Sequence, residues 1–119
     1  MKLNHLNLVV SNIPAAIHFF ETFFNFKCIA IKGDNVIAIL KGSEDFTLVI
    51  MADKNDNASY PKAFHIGFMQ ESKEEVCKIY DQLKNAGMPL GEEPKKIRDS
   101  FGFYFHFENL MIEVGYYIV

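Results

Sequence analysis

The sequence predicts an α+β fold made of two βαβββ modules, with the strands in a cupped, mixed and antiparallel sheet and the helices on its outer face. Three observations predict it. Two strand-like runs, each with a histidine near its start, begin sixty residues apart: Leu3-Asn4-His5-Leu6-Asn7-Leu8-Val9-Val10 and Ala63-Phe64-His65-Ile66-Gly67-Phe68-Met69-Gln70. Each is followed by a helical pattern with capping signals, and each helix by three further runs of strand character. A period of this length marks a repeated supersecondary unit. At 119 residues the chain has the size of one domain, 1–119, with module one at about 1–56 and module two at about 62–119. Asp53–Pro61, rich in Asp and Asn, reads as the linker between them.

The first helix opens near Asn12, with Pro14 in its first turn, where a missing N–H costs nothing. Ile13, Ile17, Phe20 and Phe24 follow at helical spacing, and Asn25 sits where a left-handed residue ends a helix. Ser72-Lys73-Glu74-Glu75 fits a capping box at the start of the second helix. Its stripe is Val76, Ile79, Tyr80 and Leu83, and Asn85-Ala86-Gly87 supplies the stop. In module one the strand runs are Phe26–Lys32, Asn35–Lys41 and Phe46–Ala52, separated by Gly33-Asp34 and Gly42-Ser43-Glu44-Asp45. In module two the first run is weak, broken by Pro89, Gly91 and Pro94, whereas Phe101–Phe107 and Leu110–Val119 are strong.

Alternate residues of a strand face opposite sides. Leu6, Leu8 and Val10 therefore pack on a helix, as do Phe64, Ile66 and Phe68, and Ile112 and Val114. The other face carries His5 and Asn7, then His65, Gly67 and Met69, then Met111, Glu113 and Gly115. A Glu between Ile112 and Val114 is costly without a partner. Either histidine alone reads as a hydrogen-bonded structural residue. Two at one register of a repeat, with a carboxylate on the same face, suit several divalent metals.

Composition narrows the function. The net charge is −3 and only one of the twelve Lys and Arg is an arginine, with no basic run, which argues against a nucleic-acid partner. No apolar run has the length of a membrane span, and the N-terminus lacks a signal-peptide pattern. Cys28 and Cys77 are too few for a disulfide scaffold and lack metal-pair spacing. Reduced, inert thiols in a cytoplasmic protein are expected. His18, on the first helix, is expected at the surface. Twelve Phe and no Trp imply a core or pocket built from phenyl rings: Phe19, Phe20, Phe23, Phe24, Phe64 and Phe68 near the helix–sheet interface, and Phe101–Phe107 on a strand beside the pocket.

The pattern resembles the vicinal oxygen chelate superfamily, which includes glyoxalase I, extradiol dioxygenases, fosfomycin thiol transferases and bleomycin-resistance proteins. The residues that carry the resemblance are His5-x-x-Leu8-x-Val10, the second histidine His65 and Ile112-Glu113-Val114, together with Val10-Ser11-Asn12, Phe19-Phe20 and Phe24-Asn25-Phe26. It spans nearly the whole chain and implies a glyoxalase-like fold. The family's Asp-Pro-Asp-Gly turn before the last strand is replaced by Glu108-Asn109. The resemblance implies one divalent metal (Fe, Mn, Ni or Zn) on His5, His65 and Glu113. Setting Glu44–Ile50 against Glu108–Val114 places Val49 where module two has Glu113. The carboxylate that would act as base in glyoxalase I is then absent, so that activity is disfavoured. A 2-His-1-carboxylate set instead resembles the dioxygenases and thiol transferases.

The first expectation is thus a metal-dependent enzyme of lyase, dioxygenase or thiol-transferase type acting on a small oxygen-bearing substrate. Asn7, Val49, Met51, Met69 and Met111 would line its cavity. Arg98, the one arginine, would contact an anionic substrate or else be a solvated loop charge. Tyr104 and His106 are the obvious acid–base candidates, although their alternation with Phe103, Phe105 and Phe107 also lets them face solvent or helices. The second expectation is a metal-free binding module of the bleomycin-resistance kind, suited to a cationic, planar ligand. Both imply a homodimer, with the three ligands either from one chain or shared between two.

Overall fold

The computed structural model describes residues 1–53 and 59–118, so most of the expected linker lies outside the described residues. The chain divides into two units, Met1–Ala58 and Ser59–Val119, each with one helix and one four-stranded mixed sheet.

In the first unit β1 (His5–Val10) leads through α1 (Ile13–Phe24) to β2 (Lys27–Lys32), β3 (Ile37–Lys41) and β4 (Thr47–Ala52). The sheet order is β1-β4-β3-β2, with β1 parallel to β4 and the other pairs antiparallel. The Asn12 side chain accepts the Ala15 N–H at 3.0 Å and so caps the first turn of α1. Asn25, at φ 58°, ends the helix in the left-handed conformation. Ile13, Ala16, Phe19 and Phe20 of α1 are buried, as are Leu8, Val10, Ala38, Leu40, Leu48 and Ile50 on the facing side of the sheet. The rings of Phe19, Phe24 and Phe26 surround Phe20 at centroid separations of 5.0, 6.4 and 5.8 Å. His18 is exposed.

The second unit repeats the order with β5 (His65–Met69), α2 (Lys73–Asn85), β6 (Lys95–Ile97), β7 (Ser100–Phe107) and β8 (Leu110–Tyr117), in sheet order β5-β8-β7-β6. The Ser72 hydroxyl accepts the Glu75 N–H at 3.2 Å, as the capping box requires. Val76, Tyr80 and Leu83 of α2 are buried, along with Phe103, Phe105, Leu110, Ile112 and Val114 of the sheet. The weak run after α2 shrinks to the three residues of β6, because Pro89 and Pro94 lack the N–H that a ladder farther upstream would need.

Two expectations about the phenylalanines change. Phe64 lies before β5 and is 37% exposed; it stacks on Tyr60 at 5.0 Å instead of packing under the helix. Phe103 and Phe105 belong to the α2 side and not to a pocket wall, with Phe103 edge-on to Tyr80 at 5.1 Å. Strand alternation then puts Tyr104 and His106 on the face away from the helix.

Candidate functional site

Residues paired directly across neighbouring strands share a sheet face, so the registers define what each open face displays. In the second unit His65 pairs with Met111 and Met111 with His106. One step along, Gly67 pairs with Glu113 and Glu113 with Tyr104. The next row holds Met69, Gly115 and Gly102. Both modules' carboxylate positions sit mid-strand, but only here is the position acidic.

Three of these side chains come together. His65 Nε2 lies 3.5 Å from Glu113 Oε1, and the His65 ring meets Tyr104 edge-on at 5.5 Å between centroids. Tyr104 stands directly across from Glu113 on β7 and feels its charge. Glu113, only 17% exposed at its side chain, thereby has the partners that its place in an apolar strand demands. Burial holds the Tyr104 phenol above its ordinary value; the Glu113 charge adds to the effect, and the Arg98 guanidinium opposes it. The phenol is therefore protonated at neutral pH. Gly67 leaves space beside the carboxylate: a Cβ built there would sit 3.5 Å from Glu113 Oε1.

The histidine is oriented from behind. His65 Nδ1 is 3.0 Å from the Ala63 carbonyl oxygen, which can only accept, so Nδ1 carries the hydrogen. In the neutral ring Nε2 then presents a lone pair towards Glu113. Two acceptors facing each other need a proton or a cation between them. Two donors bound at about 2.1 Å to one ion at a tetrahedral angle stand about 3.4 Å apart, close to the separation here. The pair therefore fits two adjacent ligands of a divalent metal, with the carbonyl as the outer partner that fixes the ring.

The remaining expected residues fall as follows. His106 is exposed on the same face as His65, and Met69 and Met111 are half-buried there. Arg98 occupies the turn between β6 and β7 at φ 54°, beside a groove of about 390 Å³ that Tyr104 and Tyr117 also line. In the first unit the registers are equivalent. His5 pairs with Thr47 as His65 does with Met111, and Asn7 with Val49 as Gly67 does with Glu113. Val49 thus takes the place of Glu113, and Ile39 that of Tyr104. Met51 follows one row on, between Val9 and Ile37. Among the described residues, no three His, Cys, Asp or Glu side chains gather as a metal set.

Tyr104 is the residue whose place the sequence understates. The signal was the two-residue turn Glu108-Asn109: it pairs Phe107 with Leu110, and counting outward equally on both strands brings Tyr104 opposite Glu113.

A protein from Bacillus cereus described as a possible glyoxalase is 38% identical, covering 96% of this chain and 97% of its own, with a TM-score of 0.82. The fosfomycin resistance protein FosX from Listeria monocytogenes shares the fold at 22% identity and a TM-score of 0.78, over 98% of this chain and 93% of its own. Lactoylglutathione lyase from Agrobacterium tumefaciens shares it at 17% identity and 0.73, over 97% and 92%. No match was found among curated proteins. The family model for the glyoxalase/bleomycin resistance protein/dioxygenase superfamily matches residues 2–111, and with the duplicated βαβββ architecture this places the chain in that superfamily.

Proposed function

We propose that the chain is a divalent-metal-dependent enzyme of the lyase, dioxygenase or thiol-transferase type, acting on a small oxygen-bearing substrate through His5, His65 and Glu113. The observation that carries this reading is the His65–Glu113 pair, with the ring turned by the Ala63 carbonyl so that Nε2 faces a carboxylate oxygen. His5, at the matching register of the first unit, is the third ligand of the proposal.

A bound divalent cation, Fe, Mn, Ni or Zn, would supply Lewis-acid polarisation of a substrate oxygen. The chain's own residues do the rest. Glu113 brings the negative charge that a cation needs, and its low exposure keeps water from competing for it. Tyr104, paired with Glu113 across the hairpin, holds a proton at its phenol oxygen on the same face. His106 stands one row away, exposed, as a second proton carrier. Val49 offers no carboxylate in the first unit, so abstraction of a substrate C–H proton from that side, as in glyoxalase I, is not part of the proposal. Asn7, Val49, Met51, Met69, Met111 and Arg98 are the proposed substrate contacts. The working form is proposed to be a homodimer.

The test is metal content and titration. Stripped protein is titrated with Mn²⁺, Fe²⁺, Ni²⁺ and Zn²⁺ while binding heat and elemental analysis give the stoichiometry. One ion per chain is expected, with binding weakened by a factor of at least about 100 in His65→Ala and Glu113→Gln and strongly reduced in His5→Ala. A chain that ignores all four ions refutes the enzyme reading and leaves a metal-free, bleomycin-resistance-like binding protein in its place.

A further inference from the structure

The open face of the first unit carries a polar row of which the metal proposal uses only His5. Lys27 pairs with Lys41, Lys41 with Thr47, and Thr47 with His5, across β2, β3, β4 and β1. Cys28, Leu40, Leu48 and Leu6 alternate with them towards α1, Leu40 and Leu48 being buried, so all four polar side chains stand on the side away from the helix. Two lysines directly opposite one another repel. Neither has a carboxylate within ion-pair distance among the described residues. Lys41 is half-buried and donates to Thr47 Oγ1 at 2.7 Å. The Thr47 oxygen is thereby occupied as an acceptor, which leaves its own O–H free to donate outward. Lys41 keeps two further N–H donors. The next rows on this face have half-buried apolar centres, Val49 with Ile39 and then Met51 with Ile37, flanked by Asn7 on β1 and Lys32 on β2.

We infer that this face of the first unit is an oxyanion-binding site for a small amphiphilic acid. The acid group would sit on Lys41 Nζ and Thr47 Oγ1, flanked by Lys27 and His5, and its apolar body would lie over Val49, Ile39 and Met51. An anion there relieves the Lys27–Lys41 repulsion and receives charge-assisted hydrogen bonds, which are about twice as strong as neutral ones. The equivalent row of the second unit, His65, Met111 and His106, has no lysine, so the preference belongs to one module only. The site shares His5 with the proposed metal centre but needs no metal for its anion contact, and it adds to Arg98, on an exposed turn, a half-buried cation on a strand.

The experiment uses the full chain, stripped of metal, with benzoate, phenyl phosphate and inorganic phosphate as probes, followed by amide chemical shifts and calorimetry. Both aromatic acids are expected to shift the amides of His5, Lys41, Thr47 and Val49 and to bind more tightly than inorganic phosphate. A tighter phenyl phosphate identifies a dianion as the preferred group, and a tighter benzoate identifies a carboxylate. Lys41→Gln is expected to weaken binding about tenfold or more, Thr47→Val and Lys27→Gln by about three-fold, and Lys41→Arg to retain it, all with unchanged melting. Affinity in Lys41→Gln within twofold of the parent overturns the proposal. So do shifts centred on Arg98 and Tyr104, or aromatic acids that bind no better than inorganic phosphate. Because no metal is present, failure here leaves the His65–Glu113 reading untouched.

Discussion

Gly102 sits on β7 opposite Gly115, one row beyond the Tyr104–Glu113 pair, and replacing it with alanine is a sharp test of how tightly the candidate site is framed. A Cβ built at Gly102 would lie 2.1 Å from the Val114 carbonyl oxygen and 2.7 Å from the Gly115 Cα. Both are backbone atoms, so no rotamer relieves the contact. Restoring ordinary contact requires β7 and β8 to part locally by about 1.3 Å, which stretches adjacent ladder bonds of about 2.9 Å beyond hydrogen-bonding distance. Two lost backbone bonds cost about 1–3 kcal/mol together, and the residual overpacking another 1–3 kcal/mol or so. The expected destabilisation of Gly102→Ala is therefore about 2–6 kcal/mol, a large part of what a domain of this size commands. Urea unfolding followed by circular dichroism measures it. Gly91→Ala is the control, because nothing lies within 4 Å of its built Cβ, and its stability should change by no more than about 1 kcal/mol. A Gly102→Ala protein within about 1 kcal/mol of the parent would mean that the close approach of β7 and β8 is not a constraint.

Three more outcomes are expected. Titration of Tyr104, read from phenolate absorbance against a Tyr104→Phe blank, should run above the ordinary tyrosine range, and Glu113→Gln should lower it by removing the charge. Because the folded state holds this proton more tightly than the unfolded chain, its contribution to stability is complete below pH 10 and disappears as pH rises through the folded value. Gly67→Ala should bind the metal ion as the parent does, since its Cβ meets Glu113 Oε1 at an ordinary 3.5 Å, whereas Gly67→Val should weaken binding without lowering the melting temperature. Asn12→Ala and Ser72→Ala each remove a side-chain cap and should cost about 1 kcal/mol in denaturant unfolding.

Much of the architecture was legible because the chain writes it twice with local signals. Asn12 and Pro14, Ser72 and Glu75, and Asn25 act through bonds within a few residues, so a reader of the sequence sees cause and effect together. The histidine faces were legible for a related reason: period-two alternation in β1 and β5 needs no knowledge of the partner strand. What escaped was cross-strand. Tyr104 was an acid–base candidate that could equally have faced solvent or a helix until the hairpin register set it beside Glu113, and Phe103 and Phe105 looked like pocket walls until α2 covered them. Lys41 was missed for the same reason. Its meaning lies in Lys27, Thr47 and His5, which are remote in sequence and meet only through pairing.

The two modules together say what Tyr104 is for. At the carboxylate position one has Glu113 and the other Val49; at the neighbouring position across the hairpin one has Tyr104 and the other Ile39. The acid and the phenol are present together or absent together. A tyrosine kept only for its ring would pack as well beside valine as beside glutamate. A phenol beside Val49 would lose its acceptor, however, and a carboxylate beside Ile39 would lose its donor, each costing about 1–3 kcal/mol where water is partly excluded. The paired substitution avoids both costs and makes Glu113 and Tyr104 a unit. Their double-mutant cycle should therefore show a coupling of about 0.5–3 kcal/mol in metal affinity, measured with Glu113→Gln, Tyr104→Phe and the double variant. Additive effects would reduce Tyr104 to a neighbour that happens to touch the site.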